Sequence, residues 1–281
     1  MPLAAIEDAF ERRPVLMPYF PLGYPDLELS LDIVEAVARS GADLIELGLP
    51  FSDPLADGPV IQQATQIALQ NGMSVARGLH MTSELRQRGV SVPLLLMGYY
   101  NPMLAYGLAR FVADAAQAGI DGLIVPDLPV EEAGELDALC AEHNLALIYF
   151  LAPTSTPERI VLVTQRARGF IYLVSLTGVT GARASLPADL SAFIHRVREQ
   201  ARCPLAVGFG ISTPDQAAAI GRDADGVIVG SALVATVRNA NGNASEAAGA
   251  FVRSLSLGLK TSEVSASLHV ASGVLRKTSE A

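Results

Sequence analysis

Eight short apolar runs, at 15–20, 44–47, 94–97, 122–125, 146–150, 170–174, 205–207 and 227–229, recur along the chain between longer amphipathic stretches. None alternates polar with apolar residues as a half-exposed strand would. Strands of this kind need cover on both faces, which an all-parallel sheet flanked by helices provides. Helical periodicity fills the intervals, for example at 29–38, 108–118, 131–142, 157–166, 190–200 and 214–220. Eight strand–helix alternations predict an α/β chain closed into a (β/α)8 TIM barrel, with an open doubly wound sheet as the competing arrangement. The 281 residues suit one such barrel of about 250 residues better than two domains.

A local repeat agrees with this count. Gly41-Ala42-Asp43-Leu44-Ile45, Gly119-Ile120-Asp121-Gly122-Leu123-Ile124 and Asp223-Ala224-Asp225-Gly226-Val227-Ile228 each join a helix end to a strand through a small-residue turn carrying Asp. These turns belong to the N-terminal face, where they serve stability, and chemistry is expected at the opposite strand ends. The first twelve residues lack a signal-peptide core and read as an extra N-terminal amphipathic helix. With no apolar run near the roughly 20 residues that span a bilayer, the expectation is a cytoplasmic protein. Residues 1–259 are assigned to the catalytic barrel. Residues 260–281, rich in Ser, Thr, Glu and Lys, are expected to form a poorly ordered polar tail.

The net charge is -9, which argues against nucleic acid or an anionic membrane as partner. An anion must then be held locally, by oriented backbone amides. Two glycine elements follow the seventh and eighth strands: Gly208-Phe209-Gly210-Ile211-Ser212, and Gly230-Ser231 at the start of a short helix. Glycine lets the backbone approach an anion, and a helix N-terminus offers unpaired N–H groups, so these predict a phosphate cradle. A third element, 177–183 (TGVTGAR), suits a lid that closes over substrate or a plain flexible connector.

Glu46 interrupts an otherwise apolar strand, and alternation puts it on the same face as Leu44. A buried carboxylate is unfavourable unless it is hydrogen-bonded or used, so Glu46 is either an acid/base with a raised pKa or a core residue satisfied by backbone amides. Asp57, eleven residues on, lies in a loop with Pro50, Pro54 and Pro59. It is either a second functional acid or a partner of the helix dipole, since Gly58 and Pro59 read as a helix start. Tyr172 shares the expected barrel mouth, and Asp127 ends the fourth strand. Cys140 and Cys203 read as reduced, packed thiols, and no residue set has metal-ligand or dinucleotide-binding spacing.

The segment 46–59, ELGLPFSDPLADGP, closely resembles the signature of the tryptophan synthase α subunit family. Pro18-Tyr19, Tyr99-Tyr100-Asn101-Pro102, Pro126-Asp127-Leu128-Pro129, Tyr172-Leu173-Val174-Ser175, 177–181, 208–212 and Gly230-Ser231 follow in the family's order. The resemblance implies retro-aldol cleavage of indole-3-glycerol phosphate to indole and glyceraldehyde 3-phosphate. It assigns proton transfer to Glu46, the indole N–H and developing ring charge to Asp57, and positioning to Tyr172. Gly181, Gly210, Gly230 and Ser231 would hold phosphate. Tyr19, Ile61, Met97 and Phe209 would wall the indole, and Thr180 would reach Asp57 from the lid. No cofactor is implied in this chain; pyridoxal phosphate is expected in a β-subunit partner, within an α2β2 heterotetramer. Asp53 and Asp127 would face that partner, and Pro50, Phe51, Pro54, Leu55, Pro102, Met103, Leu104, Leu128 and Pro129 suit an apolar docking surface, some of them lining the pocket instead. Pro21 and Leu176 depart from the family pattern, which leaves lid and interface regulation in doubt. A stand-alone indole-releasing lyase and a non-catalytic phosphate-binding partner stay open as alternatives.

Overall fold

The computed structural model describes residues 2–174, 188–208 and 210–277; the side chains of 188 and 261–277 are not part of that description. All eight strands form and close into one parallel barrel in sequence order: β1 (Val15–Pro21), β2 (Ile45–Gly48), β3 (Leu94–Met97), β4 (Gly122–Ile124), β5 (Ala146–Leu151), β6 (Ile171–Val174), β7 (Leu205–Gly208) and β8 (Gly226–Val229). Closure is made by β1 pairing with β8, with Val15 opposite Gly226 and Met17 opposite Ile228. The doubly wound alternative is thereby excluded.

The helices among the described residues are α1 (Pro2–Ala9), α2 (Leu27–Arg39), α3 (Pro59–Gln70), α4 (Val75–Gln87), α5 (Tyr100–Tyr106), α6 (Leu108–Gln117), α7 (Gly134–Glu142), α8 (Pro157–Arg166), α9 (Ala188–Arg198), α10 (Pro214–Gly221), α11 (Ser231–Arg238) and α12 (Ala244–Lys277). Their starts follow local chemistry. Asp26, Ser74, Thr156 and Thr213 each accept from the backbone N–H three residues on, and proline occupies the first turn of α3, α8 and α10. α12 continues to Lys277, past the domain boundary expected at residue 259. No helix among the described residues is long and apolar enough to cross a membrane.

Two apolar layers hold the barrel. The larger lies between strands and helices, where Leu16, Phe20, Ile45, Leu47, Leu94, Leu96, Leu173 and Val207 face Val34, Leu85, Phe111 and Ile194. The smaller fills the barrel interior with Val15, Met17, Leu44, Leu95, Ile124, Ile148, Phe170 and Ile228. α1 stoppers the interior from below: Ile6 and Phe10 are buried in this inner cluster, and the Phe10 and Phe170 rings lie 5.5 Å apart. The extra N-terminal helix is therefore the floor of the barrel.

The Asp-bearing turns have one job in common. The Oδ2 atoms of Asp43, Asp121 and Asp225 accept the backbone N–H of Leu16, Leu94 and Leu205, each at 2.8 Å. Each Asp at the foot of an even-numbered strand thus ties down the odd-numbered strand before it. Arg86 pairs with Asp121 at 2.6 Å, and Arg13 and Arg198 pair with Asp225 at 3.0 and 2.9 Å. These groups sit at the N-terminal face, as expected for residues of stability rather than chemistry.

Candidate active site

Because side chains alternate along a strand, each strand turns every second residue inward, and the last inward residues line the mouth. There they enclose a cavity of about 530 Å³, within the range of small-molecule sites. Tyr19 of β1, Glu46 of β2, Met97 of β3, Phe150 of β5, Tyr172 and Val174 of β6, Gly208 of β7 and Ile228 of β8 form its wall. The loops add Asp57, Pro126, Gly210 and Gly230, and the helix starts add Ile61 of α3 and Ser231 of α11.

Glu46 stands in register with Tyr19 on one side and Leu95 on the other. It is fully buried, and among the described residues neither carboxyl oxygen has a hydrogen-bond partner. Burial raises its pKa to about 8, because the carboxylate has lost water without gaining a donor. The reading as a core residue satisfied by backbone amides does not hold among the described residues. Burial, followed by the negative charges of Glu46 and Asp57, also pushes the phenols of Tyr19 and Tyr172 well above their usual range. Both rings therefore remain neutral, as hydrogen-bond donors, when the acids ionise.

Asp57 stands where a helix start meets the cavity. Gly58 caps α3 and Pro59 takes its first position, so the loop is a helix start. The Asp57 side chain nevertheless lines the cavity. Burial raises its pKa to about 6, against the opposing effect of a hydrogen bond from Tyr99. Tyr99 Oη donates to Asp57 Oδ2 at 3.2 Å and accepts from Ala56 N at 3.0 Å. The two acids thus differ in environment: one dry, the other half-buried with a donor. That difference is the usual route to distinct acid and base roles at one pH.

On the same cavity, the N-terminus of α11 opens at Gly230-Ser231, and Gly210 also lines it. Gly210 has φ +62°, a backbone shape that favours glycine. The first N–H groups of a helix have no intrahelical acceptor, so this edge offers oriented donors to an anion.

Nine residues singled out in the sequence, Tyr19, Glu46, Asp57, Ile61, Met97, Tyr172, Gly210, Gly230 and Ser231, come together here. Thr180, Gly181 and Phe209, with Leu176 and the lid element 177–183, lie outside the described residues. Asp53 and Asp127 are exposed and off the cavity. Asp53 accepts from Ser52 Oγ, and Asp127 accepts from Tyr100 N at 3.0 Å at the start of α5. Of the apolar loop residues expected on a docking surface, Leu55 is 94% and Leu104 46% exposed, whereas Met103 and Leu128 are buried and belong to the core. Phe150, Val174 and Pro126 were not anticipated on the cavity. The inward period of β5 and β6 carried that signal for the first two. Among the described residues no group of His, Cys, Asp or Glu is placed to hold a metal.

Residues 6–261 match the family model described as tryptophan synthase alpha chain. The alpha chain of Dehalococcoides mccartyi is 52% identical over 236 residues, covering 84% of this chain and 92% of that protein. The alpha chain of Chloroflexus aggregans is 56% identical over 222 residues, covering 79% and 83%. The crystal structure of tryptophan synthase subunit alpha from Legionella pneumophila superposes with a TM-score of 0.85 at 37% identity, covering 92% of this chain and 98% of that one. The fold, the paired acids and these similarities agree: the chain belongs to the tryptophan synthase alpha chain family.

Proposed function

We propose that Glu46 and Asp57 divide between them the alpha-chain reaction, the lyase cleavage of indole-3-glycerol phosphate to indole and glyceraldehyde 3-phosphate. With a pKa near 8, Glu46 is neutral in the resting enzyme. It protonates the ring carbon that bears the glycerol chain, while Asp57, ionised above about pH 6, accepts the indole N–H bond and stabilises the positive ring. The resulting Glu46 carboxylate takes the proton of the adjacent side-chain hydroxyl. The carbon–carbon bond breaks, its electron pair restores the indole, and the hydroxyl carbon becomes the aldehyde. Glu46 ends neutral again, so the cycle balances. Tyr172 and Tyr19 flank Glu46 and position it and the substrate.

The observation that carries this reading is a fully buried carboxyl with no described hydrogen-bond partner, sharing one cavity with a half-buried carboxylate. Gly210, Gly230 and Ser231, with Gly181, take the phosphate; Tyr19, Ile61, Met97 and Phe209 pack the indole; and Thr180 closes toward Asp57. The exposed Leu55, on a mouth loop, and Leu104, on α5, support a β-subunit partner that carries pyridoxal phosphate, within an α2β2 assembly in the cytoplasm. Asp53 and Asp127 belong to the partner side of those loops. A tryptophan synthase structure from Mycobacterium tuberculosis, in an aminoacrylate-bound form, aligns with this chain at 36% identity and a TM-score of 0.82.

The test is indole release from indole-3-glycerol phosphate, measured with and without a β subunit. Release that rises several-fold on adding the β subunit supports the bienzyme reading. Full activity alone identifies a stand-alone lyase, and no release under either condition overturns the proposal.

A further inference from the structure

We propose that Tyr99 is a positioning residue for this reaction, its hydroxyl holding the Asp57 carboxylate in the orientation and charge state that receive the indole N–H. The inference rests on the role given to Asp57 above.

Tyr99 ends the turn between β3 and α5, as the N-cap of α5, and is itself buried. Its hydroxyl has two neighbours of fixed polarity. The Ala56 amide at 3.0 Å can only donate, so it occupies an oxygen lone pair and leaves the hydroxyl proton for Asp57 Oδ2 at 3.2 Å. A phenol that otherwise could turn either way is thereby set as a donor. Its ring is braced against Phe51, with centroids 5.2 Å apart.

The loop backbone has separate support. Gln62 Nε2 donates to the Asp57 carbonyl at 2.9 Å, and Asp57 N donates to the Pro54 carbonyl at 3.0 Å. Losing the Tyr99 hydroxyl therefore frees the carboxylate and the Ala56 amide, while the Gln62 and Pro54 bonds still hold the loop at Asp57. Among the described residues, the titratable groups around Asp57 are Glu46 from β2, Tyr19 from β1, Tyr172 from β6 and Tyr99 itself, with Asp127 also acting on Tyr99. All are acids or phenols, so none of these described groups supplies positive charge to the carboxylate. A donated hydrogen bond favours the ionised form, and the Tyr99 bond does so against burial.

The experiment is the pH profile of kcat/KM for indole release from indole-3-glycerol phosphate, with saturating β subunit, for wild type and Tyr99→Phe. Loss of a hydrogen bond to a charged group should move the acid limb up by about one pH unit. That means roughly fivefold lower kcat/KM at pH 6 and under twofold at pH 7.5. The substrate phosphate also titrates near pH 6 but is common to both enzymes. Gln62→Met, which loosens the loop backbone without touching the carboxylate, should lower the profile evenly and leave the limb in place. Replacing Tyr99 by 3-fluorotyrosine, a stronger donor of nearly the same shape, should move the limb below wild type, and this variant serves where Tyr99→Phe folds poorly. A limb that stands still in both Tyr99 variants while Asp57→Asn is inactive overturns the role of Tyr99 alone. Near-normal cleavage by Asp57→Asn overturns the role of Asp57, and this inference with it.

Discussion

The phenol of Tyr19 lies where a side chain at residue 48 would be: a Cβ built on Gly48 would stand 2.3 Å from Tyr19 Oη. Tyr19 is also the register partner of Glu46, two residues before that glycine. Across the barrel, a Cβ on Gly208 would stand 2.6 Å from Tyr172 Oη. Two glycines thus make room for the two phenols that flank the buried acid.

Gly48→Ala should force the Tyr19 ring off Glu46. Displacements near 1 Å at a reacting centre cost roughly 100-fold, so kcat/KM for indole release should fall by about 10- to 100-fold. Overpacking should lower stability by about 1–3 kcal/mol, read as a drop in Tm. Unchanged kinetics would mean that Tyr19 does not position the acid.

The pH profile of wild type should be bell-shaped. Asp57 must be ionised to stabilise the cationic ring, so activity is lost as pH falls through about 6. Glu46 must carry its proton at the start, so activity is lost as pH rises through about 8. Rate measurements from pH 5 to 9.5 check both limbs, and a flat alkaline side would exclude Glu46 as the initial proton donor.

Stability should carry the same signature. The folded-state pKa of Glu46 lies above its unfolded value, so the folded state holds the proton more tightly. Between about 4.5 and about 8 the unfolded chain releases that proton first, and stability falls as pH rises through this window. Glu46→Gln removes the effect. Its Tm should equal wild type near pH 4.5 and exceed it by several degrees at pH 8, since about 1 kcal/mol is worth roughly 2–4 °C at this size. A Tm difference that does not grow with pH would contradict the burial of an uncompensated carboxyl.

Gly210→Asp should act mainly on binding. It places a carboxylate beside the proposed phosphate site and a Cβ at φ +62°. KM should rise about tenfold or more, with kcat less affected. A change in kcat alone would place the phosphate elsewhere.

The barrel was legible because parallel strands buried on both faces leave near-continuous apolar runs, and Glu46 was legible because one charge interrupts such a run. The Asp57 loop left two readings open for a physical reason: one segment both starts α3 and lines the cavity, and spacing alone does not separate the two. The part played by Tyr99 depends on a hydroxyl meeting an acid 42 positions away in sequence, and no local pattern carries such a contact. Met103 and Leu128 look like surface residues in their proline-rich segments, yet both are buried by neighbours that only the folded chain supplies. A polar composition after residue 259 does not by itself stop a helix. No proline follows, and the first glycine after Gly258 is Gly273, so α12 continues.

Single-turnover indole release by Glu46→Gln is the most direct measurement of the central claim. The amide keeps the shape of the side chain but neither donates nor accepts the transferred proton, so release should fall by at least 100-fold while glycerol phosphate still binds. Near-normal release would show that the proton comes from another group, and that the buried acid at the barrel mouth is not the catalyst.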